Sequence, residues 1–318
     1  MLPPVGAPLV LLALALASPL GQVGTSGAGA LGSRPAECAL SEGLKSANAW
    51  ERAKEPNLRR YCDALASGMA KLVGTGASTL VKDVPAIADE ADRLLPGRSA
   101  PRVLKGRALL RLGKPDEALA ALVEAKRRDD RALDDPVAGL VWARANARTG
   151  HLAEAAQGYR AALPRTSGLA ANERATASFE AGMTVMELGP SGIDDAVAML
   201  RQARRDAADA LGAAAVMGLA LALDRAGQRD EARSALAERA HADPKIVLAD
   251  PRVVAALADA GAATESDALL AIALEGIDPN GAREAWRRYA DGARPWTEHA
   301  RDHLGAAPKK PAMKGGAR

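Results

Sequence analysis

The chain has 318 residues, a net charge of +3 and 3% aromatic residues. So small a positive excess, part of it in Lys309, Lys310, Lys314 and Arg318 at the end, argues against nucleic acid as a partner, which takes a concentrated basic face. Ala, Leu, Arg and Glu abound while β-branched and aromatic residues are sparse. That balance favours helix and, since Ala buries little area, an extended, thin core.

Leu9–Leu16 is an apolar run after a Pro-rich start, and Ala15-Leu16-Ala17 before Ser18 fits a small-x-small cleavage site. Residues 1–17 resemble a secretory signal peptide, although no Lys or Arg precedes the run. It is too short to cross a bilayer, which needs about 20 apolar residues. No Cys follows closely, so a lipoprotein anchor is not expected. The protein is therefore expected to be exported, periplasmic or secreted, with no transmembrane helix. Residues 18–36, rich in Gly, Ser and Ala, read as a flexible linker.

Residues 37–78 hold the N-terminal helices and the only two cysteines, Cys38 and Cys62. An even count in an exported chain suggests a disulfide; two free thiols are the rival reading. If Glu55-Pro56 turned a helical hairpin, Cys38 would lie 17 residues before it and Cys62 only 7 after. At about 1.5 Å per residue the two would differ in height by about 15 Å, so a bond needs Cys38 on a segment that folds back, or a helix broken near Gly43. Leu58–Val73 is an amphipathic helix with Leu58, Leu65, Met69 and Leu72 on one side. Gly74–Ser78 interrupts it, and Val84–Leu95 forms the next, ended by Pro96-Gly97.

From there a unit recurs. The turn glycines Gly113, Gly150, Gly189, Gly227 and Gly261 are 37, 39, 38 and 34 residues apart. The small residues Ala118, Ala155, Ala196, Ala232 and Ala268, early in each following helix, are 37, 41, 36 and 36 apart. Small residues also recur midway along the preceding helices: Gly106, Ala143, Gly182 and Ala220. Four residues after each marker Ala comes Leu122, Tyr159, Leu200, Leu236 or Ile272, and Pro164 and Pro244 end their units. This pattern resembles the tetratricopeptide repeat family, whose 34-residue helix–turn–helix carries small, Gly, Ala, aromatic and Pro positions in that order. The resemblance implies an all-α fold, an α-solenoid of about five such repeats over residues 79–280. Periods above 34, an inserted Gly189-Pro190-Ser191-Gly192 turn and Thr264–Asp267 in place of a fifth second-helix start depart from the pattern. An irregular helical bundle is the rival.

After Pro279, residues 281–304 read as a pair of capping helices, with Trp286, Tyr289 and Trp296 covering the last apolar face; an aromatic ligand site is the rival reading. Pro295 fits the first position of the final helix. Residues 305–318 are expected to be a disordered basic tail.

Chemistry is scarce. His151 and His241 fall at helix ends and read as solvated. His299 and His303 are four residues apart on one face, a spacing that can bind zinc, but EHARDH is not HExxH and no third ligand is evident. Asp129-Asp130 and Asp134-Asp135 read as loop and capping residues. There is no phosphate-binding loop and no nucleophile elbow, so the expectation is no enzyme, no metal and no cofactor. In the tetratricopeptide family the first helix of each pair lines a concave groove, one and five residues after its small position. Carried over, that gives Arg107 and Arg111, Arg144 and Arg148, Met183 and Glu187, and Leu221 and Arg225; Phe179 and Met217 lie three before the small residue. The resemblance implies an Arg ladder leading into an apolar half, suited to a peptide with acidic or C-terminal carboxylate groups. Ordinary solvated arginines are the rival. Function is expected to be that of an adaptor or scaffold for a protein or peptide in the bacterial envelope. The alternative is a small-ligand or metal binder using the Trp286–His303 region.

Overall fold

The structure, a computed structural model, describes residues 37–38, 56–73, 78–238, 242–292 and 294–305. The signal peptide, the linker, residues 39–55, His241 and residues 306–318 lie outside them. Every regular element among the described residues is helical, and none of these helices is long and apolar enough to cross a membrane. The first is α1 (Leu58–Val73), whose buried Leu58, Tyr61, Cys62, Leu65 and Leu72 recur at helical spacing. After the single turn α2 (Ser78–Lys82) comes α3 (Val84–Leu94). Cys38 and Cys62 are bonded, with Cα atoms 5.6 Å apart, and sit in one apolar cluster with Tyr61, Val84 and Leu104.

Four helix pairs follow: α4 (Ala100–Arg111) with α5 (Pro115–Arg128), and α6 (Pro136–Arg148) with α7 (Leu152–Ala162). Then come α8 (Ala171–Glu187) with α9 (Ile193–Asp206), and α10 (Ala210–Arg225) with α11 (Arg229–Ala237). From α3 to α11 each helix packs against the next. Local chemistry sets the boundaries. Asp135 caps α6 by accepting from the backbone N–H of Val137 and Ala138, satisfying donors a helix start leaves open. α5 begins with Asp116 and Glu117 and ends with Lys126, Arg127 and Arg128, complementing its dipole.

The recurring glycines have a structural reason. Gly113, Gly150, Gly189, Gly227 and Gly261 all have φ between 66° and 89°, a region that residues with a Cβ rarely adopt. The mid-helix glycines act differently. A Cβ on Gly106 would lie 2.7 Å from Leu122 Cγ, and one on Gly182 would lie 2.6 Å from Leu200 Cγ. The missing side chain lets the paired helices approach until the leucine fills the gap. The marker alanines Ala118, Ala155, Ala196, Ala232 and Ala268 are all buried at the same crossings.

Beyond α11 the chain changes course. α12 (Pro244–Ala249) leads into α13 (Pro251–Asp259), which packs across α6, α8 and α10, the first helices of three different pairs. A short 3-10 turn at Ala263–Glu265 precedes α14 (Ser266–Leu274). A helix thus begins just after Glu265 and packs on α10 and α12. Last come α15 (Pro279–Ala290) and α16 (Thr297–His303); Pro295 lies in the turn before α16 rather than inside it.

Trp286, Tyr289 and Trp296 are buried, as a covering element would have them. Trp296 Nε1 donates to the Met186 carbonyl at 2.8 Å. Beneath them Arg225 Nη2 donates to Glu265 at 2.7 Å and to Tyr289 Oη at 2.9 Å, and Tyr289 Oη donates to Glu265 at 2.6 Å. Both charged side chains are fully buried, so each relies on the other for the solvation it has lost. The Arg225 guanidinium also lies 5.0 Å from the Trp296 ring centroid, a cation–π contact.

Two tests follow from this packing. Gly182→Ala should cost about 1–3 kcal/mol in urea denaturation, and less than half of that in a Leu200→Ala background. Equal costs in both would mean that Leu200 is not the obstacle. Glu265→Ala should cost about 3–5 kcal/mol by stranding Arg225. Replacing the pair together, Arg225→Met with Glu265→Leu, should recover most of the loss.

Candidate functional site

The concave face implied by the repeat resemblance is filled by the chain itself. Phe179, Met183, Met217 and Leu221 are buried in the main apolar core, and Met217 also lines the cavity described below. Phe179 and Met183 pack against α10 at Gly218, where an added Cβ would meet both. The four arginines are engaged within the chain. Arg107 reaches Met69 Sδ at 3.1 Å, and Arg111 donates to the Leu72 carbonyl, so both hold α1 against α4. Arg144 donates to Glu180 at 2.8 Å and Arg148 to Asp259 at 2.6 Å. Arg111 is nonetheless exposed, and Arg144 and Arg148 are partly so. They supply contacts between distant parts of this chain.

Asp135 caps α6, as noted, and Asp129 accepts from the Arg131 backbone N–H, the capping and loop contacts expected of these residues. His151 precedes α7 and is exposed.

The open concavity lies elsewhere. A cavity of about 800 Å³ sits between α10, α11, α12, α14, α15 and the end of α16. Val216, Met217, Val247 and Ile272 contribute its apolar wall. Arg229, Arg233 and Arg283 stand around it, and Ile277, with 66% of its surface exposed, lies at the edge. Ile246, on the neighbouring α12, is 71% exposed.

Asp224, Glu275, Trp286 and His303 line one end of this cavity. The carboxylate of Asp224 is buried and accepts from two imidazoles at one oxygen: His299 Nε2 at 2.6 Å and His303 Nε2 at 2.9 Å from Oδ2. Its other oxygen, Oδ1, is 3.5 Å from Arg229 Nε. His303 Nδ1 lies 2.6 Å from Glu275 Oε1, which also accepts from the indole N–H of Trp286 at 2.8 Å. The Trp286 ring stacks on His303 with centroids 4.5 Å apart.

Electrostatics follow from these contacts. Burial by itself would push the His303 imidazole down. The hydrogen bonds to Asp224 and Glu275, with their negative charge, outweigh it and hold His303 up at about 9. Burial would raise Asp224, yet the two imidazoles hold it well below the ordinary carboxylate range. The result is a buried carboxylate–imidazolium cluster at neutral pH.

The carboxylate shared by the two histidines was not visible in the sequence, because Asp224 lies 75 residues from His299. One signal was available: Asp224 ends the otherwise apolar run Leu211–Leu223, and a charged group inside such a helix calls for a partner. Glu275, just past α14, carries no comparable mark.

No protein-family model and no curated protein matches the chain, so its chemistry rests on this geometry.

A pH titration reads the cluster directly. Because the folded pKa of His303 lies above the ordinary 6.5, its contribution is complete below pH 6.5 and is lost as pH rises through about 9. In the metal-free protein, wild type should lose up to about 3 kcal/mol more than His303→Gln across that window, measured by urea denaturation. Parallel pH profiles for the two proteins would refute the assignment.

Proposed function

We propose that this chain is an exported, non-enzymatic binding protein built from tetratricopeptide-like helix pairs. It takes an apolar segment of a protein partner into the cavity between α10, α11, α12, α14 and α15. The observation that carries the reading is the coincidence of that cavity with exposed Ile277 at its edge and Ile246 on adjoining α12. Large exposed apolar side chains beside an apolar concavity are the mark of a surface that buries against something. The signal-like residues 1–17 support export, and the periodic glycines and alanines support the repeat class.

Arg229, Arg233 and Arg283 around the opening favour a segment that carries acidic groups or ends in a carboxylate. Bidentate guanidinium contacts recognise both. The expected partner chemistry thus keeps the character drawn from the repeat resemblance while its location moves. The non-enzymatic reading rests on the sequence, which carries no phosphate-binding loop and no nucleophile elbow.

The test is capture from envelope extract with the full chain and two single variants, both checked for helicity by circular dichroism. Ile277→Asp should weaken capture of the partner at least tenfold, while Val123→Asp, at another exposed apolar residue, on α5, should leave it unchanged. A partner held equally by both variants would place binding away from this cavity and overturn the reading.

A further inference from the structure

The cluster of Asp224, His299 and His303 does more than close off a buried charge. We propose that these three residues form a binding site for a divalent first-row transition ion of the zinc type, with Glu275 and Trp286 orienting one of its ligands. This goes beyond the peptide-binding reading and does not depend on it.

The first ground is convergence. His299 and His303 project from one face of α16, and both Nε2 atoms point at a single oxygen of Asp224, supplied by a different helix. The three donor atoms lie within 4.8 Å of one another. Bonds of about 2.0–2.1 Å to a tetrahedral ion separate donors by about 3.3 Å. To admit an ion in place of the bridging protons, the two N–O separations would open by well under 1 Å and the two Nε2 atoms, which lie within 4.8 Å of each other, would take up the same spacing.

The second ground is the surrounding shell, which a mere pair of histidines would lack. A ligating imidazole ordinarily gives its other N–H to a carboxylate, which fixes the tautomer and the ring direction. Here Glu275 takes the Nδ1 side of His303 at 2.6 Å, leaving Nε2 to face Asp224. Glu275 is itself held by the Trp286 N–H, and the Trp286 ring lies flat against the imidazole. Asp224 is fixed more firmly still, since it ends a helix buried from Leu211 to Arg225.

The third ground is access. Asp224 and His303 line the cavity, so an ion could enter from solvent and keep a fourth position for water or for a donor from a bound partner. The donor set of two imidazoles and one carboxylate selects the class of ion. Calcium and magnesium take oxygen ligands almost throughout, and copper(I) prefers sulfur. Zinc, cobalt and nickel accept this mixture.

The probe is zinc or cobalt(II), added to untagged full-length protein stripped with a chelator. Isothermal titration at pH 7.5 should give one zinc per chain, and cobalt should give the intense visible bands of a four-coordinate ion. His299→Ala and Asp224→Asn should each lower affinity at least tenfold. Glu275→Gln, outside the ligand sphere, should lower it about 10-fold to 100-fold. His151→Ala should change nothing. Should Asp224→Asn fail to fold, His299→Ala, at the more open end of the cluster, carries the test alone. Absence of zinc uptake by folded wild type would overturn the proposal, as would uptake unchanged in His299→Ala. Neither result bears on partner capture at Ile277.

Discussion

The C-terminal end of α13 is the point on which the rest of the structure closes. A helix end leaves carbonyls without partners inside the helix, and it carries the negative end of the helix dipole. Three earlier helices answer it. Arg148 of α6 pairs with the Asp259 side chain, Tyr159 of α7 donates to the Asp259 carbonyl at 3.3 Å, and Thr184 of α8 donates to the Ala260 carbonyl at 2.8 Å. Gly261 follows so tightly that a Cβ there would lie 2.6 Å from the Ala147 carbonyl. One buried acceptor edge thus ties together the second and third helix pairs, and their arginine and hydroxyl groups are used up in doing so.

That closure joins the two halves of the molecule energetically. Glu180, at the centre, accepts from Arg144 and from Tyr159 while its own carbonyl accepts from Thr184. Further along, Arg225, Glu265 and Tyr289 tie α10 to the final helices. Buried ion pairs of this kind gain little over apolar packing in net stability, but they penalise the wrong arrangement heavily. Here they specify which surface of the helical array the C-terminal segment covers.

The sequence made the local architecture legible because the turn glycines and crossing residues act within one helix pair. Gly106 against Leu122 and Gly182 against Leu200 are neighbours across a single turn, and spacing alone locates them. The same rules do not reach the packing that covers these helices. They say where Arg144, Arg148, Phe179 and Met183 point within a pair, and nothing about a segment a hundred residues later that comes to lie on them. The candidate site failed to show for the same reason. The two histidines declare themselves by their spacing on α16, while Asp224 and Glu275 reach them through the fold. An Asp at the end of an apolar helix was the one readable trace.

The reach of the α13 contacts also orders events in time. Arg148 and Asp259 are 111 residues apart, whereas the helix pairs close over turns of a few residues. Local pairs form at small entropic cost; long loops close late. During synthesis at about 5–20 residues per second, α6 would wait roughly 5–20 s for the segment that covers it. In that interval its inner face, including Arg144 and Arg148, is open to whatever the newly made chain meets.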